Sequence, residues 1–139
     1  MTVLNKNSPT EQILKKAVIK NSSKFYLHKV REVRYFITKV LQDKPDYILG
    51  LGTYSRNSKN ILIEKYCSNI FRGKIYGKRF EKLPIPNFLD ESAILKLSDS
   101  IGTSYCNYVS YLLTALINQN PLKTKYSFLH FSKKLEVIS

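Results

Sequence analysis

The chain has 139 residues, enough for one domain with a hydrophobic core, and 43% of them are hydrophobic, which excludes a disordered chain. We therefore expect a single domain over residues 1–139. Its two cysteines are too few for a disulfide framework, so the expected compartment is the reducing cytoplasm. Residues 1–7 hold no signal-peptide core and no apolar stretch has the length of a membrane span, so no membrane partner is expected.

The formal net charge is +13, from 23 Lys and Arg against 10 Asp and Glu. Such an excess can serve nucleic-acid binding. The basic residues are scattered singly or in pairs, however, and form neither a long basic run nor a known nucleic-acid motif. We therefore interpret the charge as a compositional bias and do not expect a nucleic-acid partner, which stays an alternative.

The beginning of the chain alternates between helix and strand patterns. A helix-start signal at Ser8-Pro9 predicts a short helix over residues 11–20. Alternating apolar residues predict a strand over residues 25–30, in which His28 is interpreted as an ordinary, partly buried polar residue. An apolar face at helical spacing predicts a helix over residues 32–42.

The middle of the chain contains two predicted strands. Residues 46–51 form a continuous apolar run, which is typical of a central parallel strand covered on both faces. A polar loop is expected over residues 52–59, followed by a strand over residues 60–65. Glu64 lies in that strand, and one interpretation is that it points to solvent. Residues 71–90 carry two glycines and two prolines and are predicted to be irregular.

The last part of the chain predicts a strand over residues 94–97, a polar turn over residues 98–104 and a helix from the turn to about residue 118. A final strand is predicted over residues 126–131, and residues 132–139 are expected to add a short helix or turn. Strands that alternate with helices predict an α/β fold, here a three-layer α/β/α arrangement around a mostly parallel sheet.

Cys106 is the candidate nucleophile. Thr103 or Ser104 can cap the predicted helix, which places Cys106 in its first turn. The free backbone N–H groups and the helix dipole favour the thiolate there, and the same N–H groups could hold an oxyanion. The alternative for a lone cysteine is a small buried hydrophobic residue, which is our interpretation of Cys67.

A cysteine nucleophile needs a base within hydrogen-bond reach, and the base needs an orienting group. The chain has two histidines, and His130 lies near the end of a predicted strand, 24 residues after Cys106. Glu64 is the candidate orienting carboxylate. In parallel sheets active sites lie beyond the carboxyl ends of the strands, so we expect these residues to gather at that edge.

Three blocks of the sequence resemble the pyroglutamyl peptidases, also called pyrrolidone-carboxylate peptidases. Residues 45–52 (Pro-Asp-Tyr-Ile-Leu-Gly-Leu-Gly), with residues 63–65 and 69–70, resemble the block around the family's catalytic Glu. Residues 98–108 (Ser-Asp-Ser-Ile-Gly-Thr-Ser-Tyr-Cys-Asn-Tyr) resemble the block around its catalytic Cys, and residues 128–131 (Phe-Leu-His-Phe) the block around its catalytic His. The blocks stand in the family's order.

The resemblance implies a phosphorylase/hydrolase-like fold and a cysteine peptidase that acts on peptides with an N-terminal pyroglutamate. Cys106 would be the nucleophile, His130 the base and Glu64 the orienting group. No cofactor or metal is implied, and the sequence shows no cluster of residues at metal-ligand spacing.

The sequence also departs from that family. It has no counterpart of the family's Gly-Phe-x-Pro-Phe-Gly loop, which helps to wall the pyroglutamyl ring pocket, and it looks shortened at its start and again between Glu64 and Cys106. Ile101 stands where the family usually has Ala. The alternative function is therefore a catalytically weak or inactive relative that binds peptides or a partner. A homo-oligomer, in which another subunit supplies the missing strand, also stays open.

Overall fold

The computed structural model describes residues 2–4, 23–27, 29–54, 59–75, 77 and 79–132, with side chains from residue 23 onward. The predicted helix over residues 11–20 and His28 lie outside the described residues. So do residues 55–58 of the predicted loop and residues 133–139 of the tail.

The described residues form ten strands and two helices. In chain order they are β1 (Thr2–Leu4), β2 (Lys24–Tyr26), α1 (Val30–Asp43), β3 (Tyr47–Tyr54), β4 (Ile61–Glu64), β5 (Tyr66–Ser68), β6 (Ile70–Phe71), β7 (Lys74–Ile75), β8 (Lys82–Pro84), β9 (Leu95–Ser98), α2 (Tyr105–Gln119) and β10 (Lys125–Ser132).

The central sheet has six strands in the order β2-β1-β3-β10-β4-β9. Its middle is the parallel pair of β3 and β10, which stay in register from Tyr47 opposite Lys125 to Tyr54 opposite Ser132. The outer pairs are also parallel, and among the described strands of this sheet only β10 and β4 are antiparallel neighbours. The predicted α/β fold with a mostly parallel sheet is therefore confirmed.

Strand β4 is antiparallel to β10 because the connection from β3 to β4 is short. Only residues 55–60 separate β3 from β4. A parallel return needs a crossover of about a dozen residues or more, so this short connection brings the chain back in the opposite direction. Strand β9 follows β4 in parallel, after the longer excursion through β5 to β8.

Both described helices cover the same face of the sheet. Helix α1 buries Val33, Phe36 and Val40, and α2 buries Val109, Leu113 and Ile117, in one core cluster with sheet residues such as Ile48 and Phe128. The other face carries a smaller cluster around Leu51, Ile63, Leu129 and Phe131. The third layer of the predicted sandwich stays a prediction, because the helix expected over residues 11–20 is not described. Neither described helix is long and apolar enough to cross a bilayer.

Several element bounds differ from the sequence prediction. The strand predicted over residues 25–30 ends at Tyr26, because α1 already begins at Val30. Strand β3 extends to Tyr54, into the predicted loop, because β10 offers it a partner along its full length. Residues 71–90, predicted as irregular, contain β7 and β8, and β8 is stabilised by antiparallel pairing with β5. Such distant pairing leaves little trace in local sequence.

Candidate active site

Cys106 is the second residue of α2 and lies in its first turn, as predicted. Ser104 occupies the N-cap position with extended backbone, but its side chain makes no capping hydrogen bond. The Cys106 side chain is buried against β3. A Cβ atom at Gly52 would lie 2.8 Å from the Cys106 sulfur, so the missing side chain of this glycine makes room for the thiol.

His130 lies on β10 directly beside Gly52 of β3, on the sheet face that the helices cover. Its Nδ1 is 2.8 Å from Glu64 Oε1, and both side chains are buried. The imidazole also forms a hydrogen bond with the Cys106 side chain. Because Glu64 engages Nδ1, Nε2 is the ring nitrogen left for the sulfur.

Glu64 is the last residue of β4 and is fully buried, so the interpretation that it points to solvent is wrong. It reaches His130 diagonally across the antiparallel pair, since His130 stands opposite Leu62 and residues two apart share a face. The expectation that parallel strand ends bring the three residues to one edge is therefore corrected. Glu64 and His130 come together across oppositely directed strands.

The electrostatics of the cluster favour a charged histidine. Burial by itself would lower the pKa of His130. The hydrogen bonds with Cys106 and Glu64, and the charges of both partners, outweigh burial and raise the pKa of His130 to about 9. At neutral pH the imidazole therefore carries its second proton and lies between the sulfur and the carboxylate.

Cys67 differs from Cys106 in its surroundings. It lies within β5, is buried in the core, and its thiol donates to the Leu83 carbonyl oxygen at 3.7 Å. Burial raises the pKa of Cys67 to about 11. The interpretation of Cys67 as a small buried hydrophobic residue is confirmed.

Two further residues of the site are not among the candidates predicted from the sequence. Asn107 follows Cys106, and its side-chain nitrogen donates to the carbonyl oxygens of Ser68 and Ile70 at 2.9 and 2.7 Å. Its Oδ1 accepts from the Ser68 N–H at 2.8 Å, so Asn107 ties β5 and β6 to the first turn of α2. A polar residue on the buried face of an apolar helix was the available signal.

Tyr54, the second such residue, ends β3 beside the histidine. Its ring centroid lies 6.0 Å from that of His130, at an interplanar angle of 66°. Phe128 contacts the same imidazole from within β10, at 4.9 Å and 74°. The sequence signal was an aromatic residue in the predicted loop that follows a buried strand, at the edge where a site is expected.

A cleft of about 360 Å³ opens next to the cluster. It is lined by Glu64 and His130, by Tyr54 and Leu62, and by the turn of residues 98–102 that leads to Cys106. A larger groove of about 610 Å³ separates α1 from α2, but its lining includes none of the three predicted catalytic residues. The smaller cleft is therefore the better candidate for substrate binding.

Comparison with known proteins shows the fold. No protein-family model matches the sequence, and no curated protein matches it significantly. The pyrrolidone carboxyl peptidase of Thermus thermophilus superposes with a TM-score of 0.64 at 15% identity, over 95% of this chain and 84% of that one. For the Thermococcus litoralis enzyme the TM-score is 0.58 at 22% identity, over 94% and 76%.

A single-residue variant of the Pyrococcus furiosus enzyme superposes with a TM-score of 0.62 at 19% identity, over 95% of this chain and 81% of that one. All these solved structures are pyrrolidone carboxyl peptidases. The chain therefore has the fold of the pyrrolidone carboxyl peptidases.

Proposed function

We propose that this chain is a cysteine peptidase of the pyroglutamyl peptidase family, which removes an N-terminal pyroglutamate from peptides through an acyl-enzyme. The observation that carries the proposal is that Cys106 and Glu64 both form hydrogen bonds with one buried imidazole, that of His130, on this fold. The three sequence blocks that resemble the family contain these same three residues.

In the proposed reaction the Cys106 thiolate attacks the pyroglutamyl carbonyl carbon, and a carbon–sulfur bond forms. The carbonyl oxygen becomes an oxyanion, which the backbone N–H of Cys106 would hold at the start of α2. His130 then donates its proton to the departing amine as the carbon–nitrogen bond breaks. The peptide leaves with a new N-terminal amine, and the pyroglutamyl group stays on the sulfur as a thioester.

Water completes the cycle. His130, now neutral, takes a proton from the attacking water, and the carbon–sulfur bond breaks to release pyroglutamate. The sulfur leaves as a thiolate beside the regenerated imidazolium. Glu64 keeps the imidazole in place and stabilises its charge in both half-reactions, which is the role of the buried carboxylate in triads of this kind.

The raised pKa of His130 supports this assignment. With a pKa of about 9, the imidazole holds the proton that the leaving amine requires. The sulfur at the start of α2 faces the positive end of the helix dipole, which favours the thiolate.

One observation favours a second candidate function, a catalytically inactive relative that binds peptides. The Cys106 side chain is only 6% exposed, and a substrate carbonyl must reach it. If the covering residues do not move, a peptide could occupy the cleft without reacting. The two functions share the binding step and differ only in whether the acyl group reaches the sulfur.

Release of a fluorophore from a pyroglutamyl-amide tests the proposal. We expect turnover by the wild-type protein and none by Cys106→Ala or His130→Ala, with folding retained in both variants. Cys67→Ala is the matched control, since it removes the other thiol and should keep turnover. Binding of a pyroglutamyl peptide by a folded protein that shows no turnover would support the second function and overturn the first.

A further inference from the structure

We propose that Tyr54 is a positioning residue that holds the His130 imidazole against Cys106. A catalytic effect of Tyr54 rests on the proposed function. The contact between Tyr54 and His130 can be tested without any substrate, through the reactivity of the Cys106 thiol.

The imidazole is enclosed by four side chains from four elements. Glu64 of β4 engages Nδ1, Cys106 of α2 forms a hydrogen bond with the imidazole, and Phe128 of β10 packs edge-on at 4.9 Å. The Tyr54 ring of β3 lies beside the imidazole at 6.0 Å, in an edge-to-face geometry. Such aromatic arrangements add stability beyond the area they bury.

Of the two aromatic contacts, Tyr54 is the one that faces the cleft, which Glu64 also lines. Phe128 is buried under the helices, whereas Tyr54 is half-buried and lines the cleft together with His130. Without the Tyr54 ring, the imidazole could rotate towards the open space and lose its hydrogen bond with the sulfur. Rotation about the His130 Cβ–Cγ bond would also break the Glu64 hydrogen bond at Nδ1, so Tyr54 and Glu64 hold the ring together.

Tyr54 is itself anchored. Its hydroxyl donates to the Asn60 carbonyl oxygen at 3.0 Å, which joins the end of β3 to the residue before β4. Tyr54 and Glu64 therefore belong to one stretch of chain that leaves β3 and returns through β4. This stretch contacts His130 twice, once through a ring and once through a carboxylate.

The readout is the pH at which alkylation of Cys106 by iodoacetamide reaches half its maximal rate. Contact with the imidazolium stabilises the thiolate, so loss of the contact raises that pH. Wider access to the sulfur changes the maximal rate but does not move the midpoint. We expect Tyr54→Leu to raise the midpoint. We expect Tyr54→Phe, which keeps the ring, to restore most of the shift.

Tyr47→Leu is the matched control. Tyr47 begins the same strand and packs on Phe88 in a similar edge-to-face geometry, at 5.1 Å and 63°, far along β3 from the site. It should leave the midpoint unchanged. Thermal unfolding of each variant establishes that the folded protein is being measured.

An unchanged midpoint in folded Tyr54→Leu, or an equal shift in Tyr47→Leu, would overturn the positioning role. A shift as large in Tyr54→Phe as in Tyr54→Leu would also overturn it, because the ring would then not be the holding element. If pyroglutamyl-amide hydrolysis is found, kcat should fall about tenfold or more in Tyr54→Leu. If no hydrolysis is found while the midpoint shifts, the proposed function fails and the positioning role stands.

Discussion

Glu64 and His130 face each other diagonally across the antiparallel strands β4 and β10, with Oε1 and Nδ1 2.8 Å apart and both side chains buried. The second carboxylate oxygen, Oε2, is buried without a hydrogen-bond partner among the described residues. A buried carboxylate with one free oxygen is costly unless a nearby positive charge offsets it. This geometry, together with the raised pKa of His130, favours an imidazolium beside the carboxylate.

Glu64→Gln should reduce kcat/KM by roughly 10²- to 10⁴-fold, less than the complete loss expected for Cys106→Ala. The amide can still accept a hydrogen bond from the ring, but it cannot stabilise the imidazolium. Steady-state hydrolysis of a pyroglutamyl-amide measures the effect. Asp90→Asn, at an exposed position, is the control and should change nothing. Full activity in Glu64→Gln would show that the carboxylate charge plays no part.

The two histidines make the charge of His130 directly measurable. We expect one imidazole resonance to titrate near pH 9 in NMR spectra, and His28→Gln to identify the other. The pKa of His130 is higher in the folded protein than the usual 6.5. Its stabilising contribution is therefore complete below about pH 6.5 and is lost as the pH rises through about 9. Titration of both imidazoles near 6.5 would contradict the buried ion pair.

The same ionisation predicts the basic limb of activity. The free enzyme must hold a proton on His130 for the leaving amine, so kcat/KM should decline above about pH 9. A profile that instead rises through pH 9 would mean that the neutral imidazole is the active form.

The two thiols should react very differently. One equivalent of iodoacetamide at pH 7 should modify Cys106 first, as established by peptide mapping, because its sulfur faces a helix N-terminus and an imidazolium. Cys67, with a pKa of about 11, should stay unmodified in the folded protein. Equal or preferential labelling of Cys67 would remove the basis for Cys106 as nucleophile.

Gly52→Ala should disturb the nucleophile. The new Cβ would lie 2.8 Å from the Cys106 sulfur and 2.8 Å from Phe128 Cζ, so at least one of them must shift. We expect a loss of about 1–3 kcal/mol in unfolding free energy and a lower rate of thiol alkylation. Gly50→Ala is the matched control, since its Cβ would meet Phe128 and the Tyr126 hydroxyl but not the sulfur. Gly50→Ala should lower the unfolding free energy without changing the rate of thiol alkylation. If Gly50→Ala lowered that rate as much as Gly52→Ala does, a specific contact between Gly52 and the sulfur would be contradicted.

Much of the fold could be predicted from the sequence, because apolar periodicity carries it. The helix that begins beside Cys106 and the strand that holds His130 were placed to within one or two residues. The short strands β7 and β8 were missed, since distant partners and not local residue preferences stabilise them.

The site was only partly predictable. The residue types and their order suggested Glu64, Cys106 and His130, but not how the carboxylate would reach the ring. The carboxylate reaches the ring because β4 is antiparallel to β10. This direction of β4 follows from the short connection between β3 and β4. The sequence places Tyr54 in a predicted loop. In the structure it is the last residue of β3, because pairing with β10 extends that strand.

The central claim, that the Cys106 sulfur carries the pyroglutamyl group, is tested most directly by trapping that group. The protein is quenched in acid during turnover of a reactive pyroglutamyl ester and examined by intact mass and peptide mapping. The account predicts an added mass of one pyroglutamyl group on the peptide that contains Cys106, present in Cys67→Ala and absent in Cys106→Ala. Ester hydrolysis that persists in Cys106→Ala, or an acyl group mapped to any other residue, would contradict it.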